Sequence, residues 1–159
     1  QNLNTQDIAH RAGGNYRIAL DEYLGKNQDN NRLLDLFKQC LRATVDAQPI
    51  RFRSLSDELA SLSKDEQLQL LAYFARTFRE LFIANYEIPK VSYLRNDEQP
   101  IAQYIKACLN IDNVSLILDE LDLATRHIAQ NVNSKIVFFD LIAHLTAILS
   151  SEYKRHHIR

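Results

Sequence analysis

Apolar residues recur at intervals of three and four positions along most of this chain, and that spacing predicts amphipathic helices. The first clear case is a helix from Asn31 to about Ala47, with an apolar stripe made by Leu33, Leu34, Phe37, Leu41 and Val45. No segment alternates convincingly between apolar and polar residues, as a half-buried strand would. The sequence therefore predicts an all-α bundle of about five to six main helices, preceded by a short two-helix segment.

Capping residues and prolines predict where these helices begin and end. Ser63 and Glu66 have the spacing of a capping box, in which each side chain bonds the other residue's backbone N–H, and they open a helix over residues 64–86. The other expected boundaries are a stop at Pro49, a short helix over 54–62, a helix from Pro100 to about Leu109, a cap at Asp112 or Asn113, and a break at 131–134.

Two of these helices have unusually wide apolar faces. The 64–86 helix carries one stripe of Leu68, Leu71, Ala72, Ala75, Phe78 and Phe82, and a second stripe of Leu70, Phe74 and Leu81. The helix over 134–152 is apolar nearly all round, which predicts a central position with neighbours on most faces. In both helices, one face can build the core while another meets a second subunit. The alternative is that both faces are internal to one bundle.

The polar segment 26–30 (KNQDN) predicts a linker between two modules. Before it, Gly13-Gly14 and Gly25 end two short helices, so residues 1–25 form a small module of their own. Residues 31–159 form the main helical domain. Gln1 is the first residue and there is no Met, which predicts that the chain is a piece of a longer protein.

Charge and composition exclude several classes of function. Lys plus Arg number 19 and Asp plus Glu number 20, so no overall field attracts nucleic acid or an anionic membrane. The sequence has no signal peptide and no run of 18 apolar residues, which predicts a soluble protein. Cys40 and Cys108 lie on apolar helix faces, where inert buried thiols are expected, and a reducing cytoplasmic setting fits them.

A few residues have the types and spacing that chemistry would need. Glu120 and His127 are seven apart and share a helix face, the minimum for a carboxylate–imidazole pair, although a solvated face is the simpler interpretation. His156 and His157 could ligate metal, but no Cys or His cluster accompanies them. The remaining candidates are an anion site at Gly13-Gly14 and a basic tail of Lys154, Arg155 and Arg159. No catalytic constellation is visible, so we expect no enzyme activity and no cofactor in this chain.

Three segments together resemble one family, the delta-prime subunits of the bacterial DNA polymerase III clamp loader, particularly those of the Bacteroidetes group. Residues 12–24 (AGGNYRIALDEYL) are similar to the G-x-x-R-x-A-L stretch that ends the lid of AAA+ modules. Residues 74–98 and 120–145 are similar to the collar domain of that subunit, and the resemblance extends from about residue 5 to 150.

The resemblance implies an AAA+ lid remnant in residues 1–25 and a helical collar in 31–159. Its partners would be the other clamp-loader subunits, gamma/tau and delta, with DNA reached only through the complex and no membrane contact. Arg17 falls at the sensor-2 position, where AAA+ subunits place an arginine near nucleotide phosphates. Alone, the chain is expected to be a monomer or to self-associate weakly. A gamma/tau collar and an unrelated helical interaction scaffold stay open as alternatives.

Overall fold

A computed structural model describes residues 27–86, 94 and 96–157, with side chains from residue 31 to 150 in those ranges. This part of the chain forms helices and no strand, as predicted for an all-α bundle. The helices are α1 (Asn27–Val45), α2 (Pro49–Ala60), α3 (Lys64–Asn85), α4 (Gln99–Ile105), α5 (Ile111–Ala129) and α6 (Ser134–His157).

Helix α6 packs against α1, α2 and α5, while α3 packs against α1, α4 and α5. A single hydrophobic core joins these helices, and its fully buried side chains include Phe37, Phe74, Phe78, Phe138, Leu81 and Ile142. Cys40 and Cys108 are buried in this core, as predicted. Most of the two α3 stripes is internal to the bundle, because Leu70, Phe74 and Leu81 are buried together with Leu71 and Phe78. Only Ala72 of those stripes is exposed.

Several helix boundaries differ from the sequence-based ones. Helix α1 begins at Asn27 instead of Asn31, so four of the five residues assigned to the linker are helical. Helix α2 begins at Pro49 and not at Ser54, because proline needs no backbone N–H in the first turn of a helix and therefore starts one as readily as it ends another. Helix α4 ends at Ile105, short of Leu109, and α6 continues to His157.

The capping box before α3 is confirmed. Ser63 N donates to Glu66 Oε2 at 2.8 Å, and Glu66 N donates to Ser63 Oγ at 3.3 Å. The hydrogen bond from the Ser63 backbone to the Glu66 carboxylate is the main reason that the pKa of Glu66 is lowered. The next cap was predicted at the wrong residue. Asn110, and neither Asp112 nor Asn113, caps α5, and Asn113 completes a second capping box three residues later.

Helices α1 and α5 end in the same kind of C-terminal turn. After α1, Gln48 N bonds Ala43 O and Ala47 N bonds Thr44 O, with Ala47 at φ 48°. After α5, Val132 N bonds His127 O and Asn131 N bonds Ile128 O, with Asn131 at φ 62°. This pair of bonds defines the Schellman motif, which needs a left-handed residue and therefore favours glycine or asparagine. The Schellman motif after α5 explains why residues 131–134 interrupt the helical pattern of apolar residues.

Replacing Ala47 with Gly should therefore stabilise the bundle, by about 0.5–1 kcal/mol, because alanine pays a steric cost at positive φ that glycine does not. The matched control is Ala72→Gly, at an exposed position inside α3, where the same change should destabilise by about 0.5–1 kcal/mol. Urea denaturation of the three proteins measures both effects. A loss of stability in Ala47→Gly would contradict the assignment of this turn.

Candidate functional site

Several predicted site residues lie outside the part of the chain that the structure describes. Arg17 and Gly13-Gly14 are in residues 1–26, and Arg159 follows the last described residue. The backbone of α6 includes Lys154, Arg155, His156 and His157, but their side chains are not among those described. The nucleotide-binding role of Arg17 therefore stays a prediction.

Glu120 does pair with a histidine, but with His144 of α6 and not with His127. Glu120 Oε2 lies 2.7 Å from His144 Nδ1, and Asp140 Oδ1 lies 3.7 Å from His144 Nε2. The sequence offered no local sign of this pair, because Glu120 and His144 are 24 residues apart and meet only through the packing of α5 on α6. All three groups are at the surface: the His144 side chain is 48% exposed.

The imidazole of His144 lies between two carboxylates. The hydrogen bond to Glu120 raises its pKa above the usual 6.5, partial burial opposes this, and the negative charge of Asp140 adds to the rise. Doubly protonated imidazole donates from both ring nitrogens, which matches an acceptor on either side. The arrangement joins α5 to α6 at the surface, where the Asp140 side chain is 59% exposed and the His144 side chain 48% exposed. We therefore interpret it as a surface ion pair and not as an acid–base site.

Stability should depend on pH through His144. Because folding raises the pKa of this group, its contribution is complete below pH 6.5 and is lost as pH rises through the higher folded value. Exposed pairs of this kind contribute roughly 0.2–1 kcal/mol. Denaturation at acid and alkaline pH should show this loss in the native chain but not in His144→Gln. An equal pH dependence in both proteins would contradict the role assigned to His144.

Among the described side chains, which are those of residues 31–86, 94 and 96–150, no group of three or more His, Cys, Asp or Glu could hold a metal ion. Burial is the main cause of the raised pKa of the Cys40 thiol, with the nearby charge of Glu58 adding to it. A buried thiol with a raised pKa is a poor nucleophile, because the reactive form is the thiolate. Cys40 and Cys108 are both buried, as predicted for inert thiols in the core.

An open cleft of about 470 Å³ lies where the α2–α3 turn meets the α5–α6 turn. Its polar groups already bond each other. Lys64 Nζ donates to Ala129 O and to Asn131 Oδ1, at 2.9 and 2.8 Å. The buried Gln67 donates to Ala60 O and Leu62 O and accepts from Ser134 Oγ. These bonds join the starts of α3 and α6 to the end of α5, which gives the cleft a structural role.

A buried polar network holds the segment before α4 against α3. Glu98 is 0% exposed, and its Oε1 accepts hydrogen bonds from Tyr73 Oη at 2.8 Å and from Arg76 Nη2 at 2.6 Å. The Arg76 guanidinium also lies 5.1 Å from the centre of the Tyr73 ring. Burial, and secondarily the charge of Glu98, raises the pKa of Tyr73, so its hydroxyl stays a donor. This network fixes the position of α4.

One face of α6 is only partly covered in the described part of the molecule. Ile136 is 65% exposed and Phe139 is 45% exposed, although both are large apolar residues. With Ala143 and Ala147 they follow a spacing of three, four and four residues, which places all four on one side of the helix. We call these four residues the α6 stripe. The prediction that α6 has neighbours on most of its faces agrees with its packing against α1, α2 and α5, and the α6 stripe is the part that these helices leave largely uncovered.

The contacts on either side of the α6 stripe explain why it stays open. On one side, α2 reaches α6 through the ion pair of Lys135 with Asp57 and the ring contact of Phe139 with Phe52. On the other side, α5 reaches it through Glu120 and His144. Helix α1 packs on α6 as well. The stripe is the solvent-facing surface between α2 and α5. The spacing of three and four residues was visible in the sequence. Whether such a helix face is exposed depends on how many other helices pack against it.

No known protein family, curated protein or solved structure matches this chain. Within the described residues, no helix is long and apolar enough to span a bilayer.

Proposed function

We propose that this chain is an assembly domain, the collar of a clamp-loader subunit of the delta-prime type in a bacterial DNA polymerase III. In this role it binds the other subunits, gamma/tau and delta, of the cytoplasmic complex that loads the sliding clamp onto primed DNA. The proposal rests on the sequence resemblance of residues 74–98 and 120–145, and it is supported by an all-helical bundle over the collar region.

The α6 stripe is the structural observation that carries the proposal furthest. A helix normally buries its apolar residues, and apolar patches left exposed mark surfaces that other proteins cover. Here Ile136 and Phe139 are exposed in the first two turns of a helix that packs against α1, α2 and α5. Phe139 is held edge-on against Phe52, with the ring centres 6.3 Å apart and the planes at 73°. Part of the surface is thus ordered before a partner binds.

The proposal assigns no catalytic step to this chain. In the described residues Glu120 and His144 form a surface pair without a cleft, and the cysteines are buried. Nucleotide hydrolysis in the proposed complex would belong to other parts of it. A gamma/tau collar would use the same kind of surface. If the chain is part of a longer protein, an intact Walker A lysine before Gln1 would favour a gamma/tau subunit over a delta-prime subunit.

The test is reconstitution of the chain with the gamma/tau and delta subunits, followed by size-exclusion chromatography. We expect the chain to co-elute with them and Ile136→Asp to elute separately. Ile50→Asp is the matched control, because Ile50 is 89% exposed on α2 and lies outside the α6 stripe. A folded chain that never co-elutes would refute the proposal. Equal binding by Ile136→Asp would refute the role of the stripe.

A further inference from the structure

The α5 edge of the α6 stripe is negatively charged. There His144 lies between the carboxylates of Glu120 and Asp140, so this group of three is net negative whether the imidazole is protonated or neutral. Asp119, the residue before Glu120, is exposed as well. The charge of His144 is thus already balanced within its own chain, and the charge left over on this edge is that of a carboxylate.

The α2 edge of the stripe has the opposite sign. Lys135 pairs with Asp57 at 2.6 Å, which leaves no net charge in that pair. Arg53 is exposed on α2, one helical turn before Asp57 and therefore on the same side of that helix. The stripe is thus bordered by excess negative charge along α5 and by excess positive charge along α2.

Asp140 is the carboxylate best placed to bind a cation of a partner. Its side chain is 59% exposed, and its Oδ1 lies 3.7 Å from His144 Nε2, which is too long for a hydrogen bond. Glu120 Oε2, by contrast, lies 2.7 Å from His144 Nδ1. An ammonium or guanidinium group can therefore bond Asp140 without breaking the contact between Glu120 and His144.

The shape of the stripe suits a helix. From Ile136 to Ala147 it is about 17 Å long, at a rise of about 1.5 Å per residue. Helices α2 and α5 pack on either side of it, and the small side chains of Ala143 and Ala147 allow a second backbone to come close. An apolar groove of this kind is the surface on which amphipathic helices dock.

We propose that the partner covering the α6 stripe is an amphipathic helix with lysine or arginine along the edge that lies over α5. Its apolar face contacts Ile136 and Phe139, and its cations bond Asp140. Like charges that face each other in an interface are strongly unfavourable, so a helix turned end for end, or one with an acidic edge over α5, is rejected. The inference rests on the proposed function for the identity of the partner, a helix of gamma/tau or delta.

Binding of the chain to the gamma/tau and delta subunits tests the basic edge within the complex. Asp140→Lys should weaken this binding about tenfold or more, because it places a cation against cations. Asp35→Lys is the matched control, since Asp35 is exposed on α1, outside the stripe and its two edges, and it should bind like the native chain. Circular dichroism checks that each variant is folded. Equal binding by the native chain and Asp140→Lys would overturn the inference and leave the proposed function in place.

Two synthetic helical peptides test the surface without the other subunits. Both have a leucine face, and one carries lysine along the edge where the other carries glutamate. In fluorescence anisotropy titrations, the lysine peptide should bind the native chain about tenfold or more tightly than the glutamate peptide, and Asp140→Lys should reduce this preference. Ile136→Asn should weaken binding of the lysine peptide, since an apolar contact is lost.

The peptide results separate the inference from the proposed function. Equal affinities of the two peptides would overturn the inference, and so would binding of the lysine peptide that Ile136→Asn leaves unchanged. A lysine peptide that binds as expected to a chain which never binds gamma/tau and delta would support the inference and refute the proposed function.

Discussion

Replacing Phe37 with Ala should be among the most damaging single changes in this bundle, with an expected loss of about 3–5 kcal/mol. Phe37 is 1% exposed and connects α1 to α3. Its ring meets Tyr73, Phe74 and Phe78 edge-on, with centres 6.2, 5.0 and 5.2 Å apart. Alanine would leave a cavity beside three aromatic rings that cannot all move to fill it.

Urea denaturation of Phe37→Ala measures this loss, and two variants define its origin. Phe37→Leu keeps most of the apolar volume but not the edge-on ring contacts, so it should lie between Phe37→Ala and the native chain. Phe139→Ala removes the same atoms at a position that is 45% exposed, and it should cost no more than about 1 kcal/mol. Equal losses at Phe37 and Phe139 would contradict the assignment of the core.

Replacing Glu98 with Ala should cost about 2–4 kcal/mol. Its carboxylate is buried and accepts from Tyr73 and Arg76. Removing one partner of a buried charge pair leaves the other uncompensated, which costs about 3–5 kcal/mol when both are fully buried. The expected loss is somewhat smaller here, because the Arg76 side chain is 36% exposed and can still reach water.

Thermal unfolding of Glu98→Ala tests this network. Glu58→Ala, at an exposed position on α2, is the matched control and should change stability by less than about 0.5 kcal/mol. Tyr73→Phe should be destabilising in the native chain but nearly neutral in the Glu98→Ala background, because the hydroxyl then has already lost its acceptor. Additive effects of the two substitutions would show that Tyr73 and Glu98 do not act together.

The features that the sequence predicted well are local ones, which depend on residues a few positions apart in the chain. The Ser63–Glu66 box joins residues three apart, and its two hydrogen bonds form as expected. The break at residues 131–134 follows from Asn131, which adopts the left-handed conformation that ends α5. Asn110 was missed as the cap of α5, because Asp112 and Asn113 offer the same kind of acceptor within one turn. The existence of the helices and the all-α fold class were therefore predictable from the sequence. The residues at which the helices begin and end were predicted less accurately.

The features that the sequence could not predict are those that depend on packing between segments far apart in the chain. The sequence places Glu120 on the same helix face as His127, yet the neighbouring helix supplies His144 to Glu120 at 2.7 Å. Ile136 and Phe139 look like core residues in an apolar helix, but α1, α2 and α5, which pack on α6 in the described part of the chain, leave both exposed. The exposed face of α6 follows from that packing and not from its composition. The sequence indicated a second apolar face on this helix, and the packing of α1, α2 and α5 determines which residues of it stay exposed.

Thiol labelling tests most directly whether another subunit covers the α6 stripe, as we propose. Ala147→Cys places a thiol on the exposed side of α6, while the native Cys40 and Cys108 are buried. Maleimide labelling is measured in dilute solution, with and without the gamma/tau and delta subunits. Ile50→Cys is labelled in parallel as the control. We predict that the added subunits slow the labelling of Ala147→Cys about tenfold or more and leave Ile50→Cys unchanged, since a covered surface is closed to the reagent. Unchanged labelling of Ala147→Cys in a complex that has formed would contradict the claim.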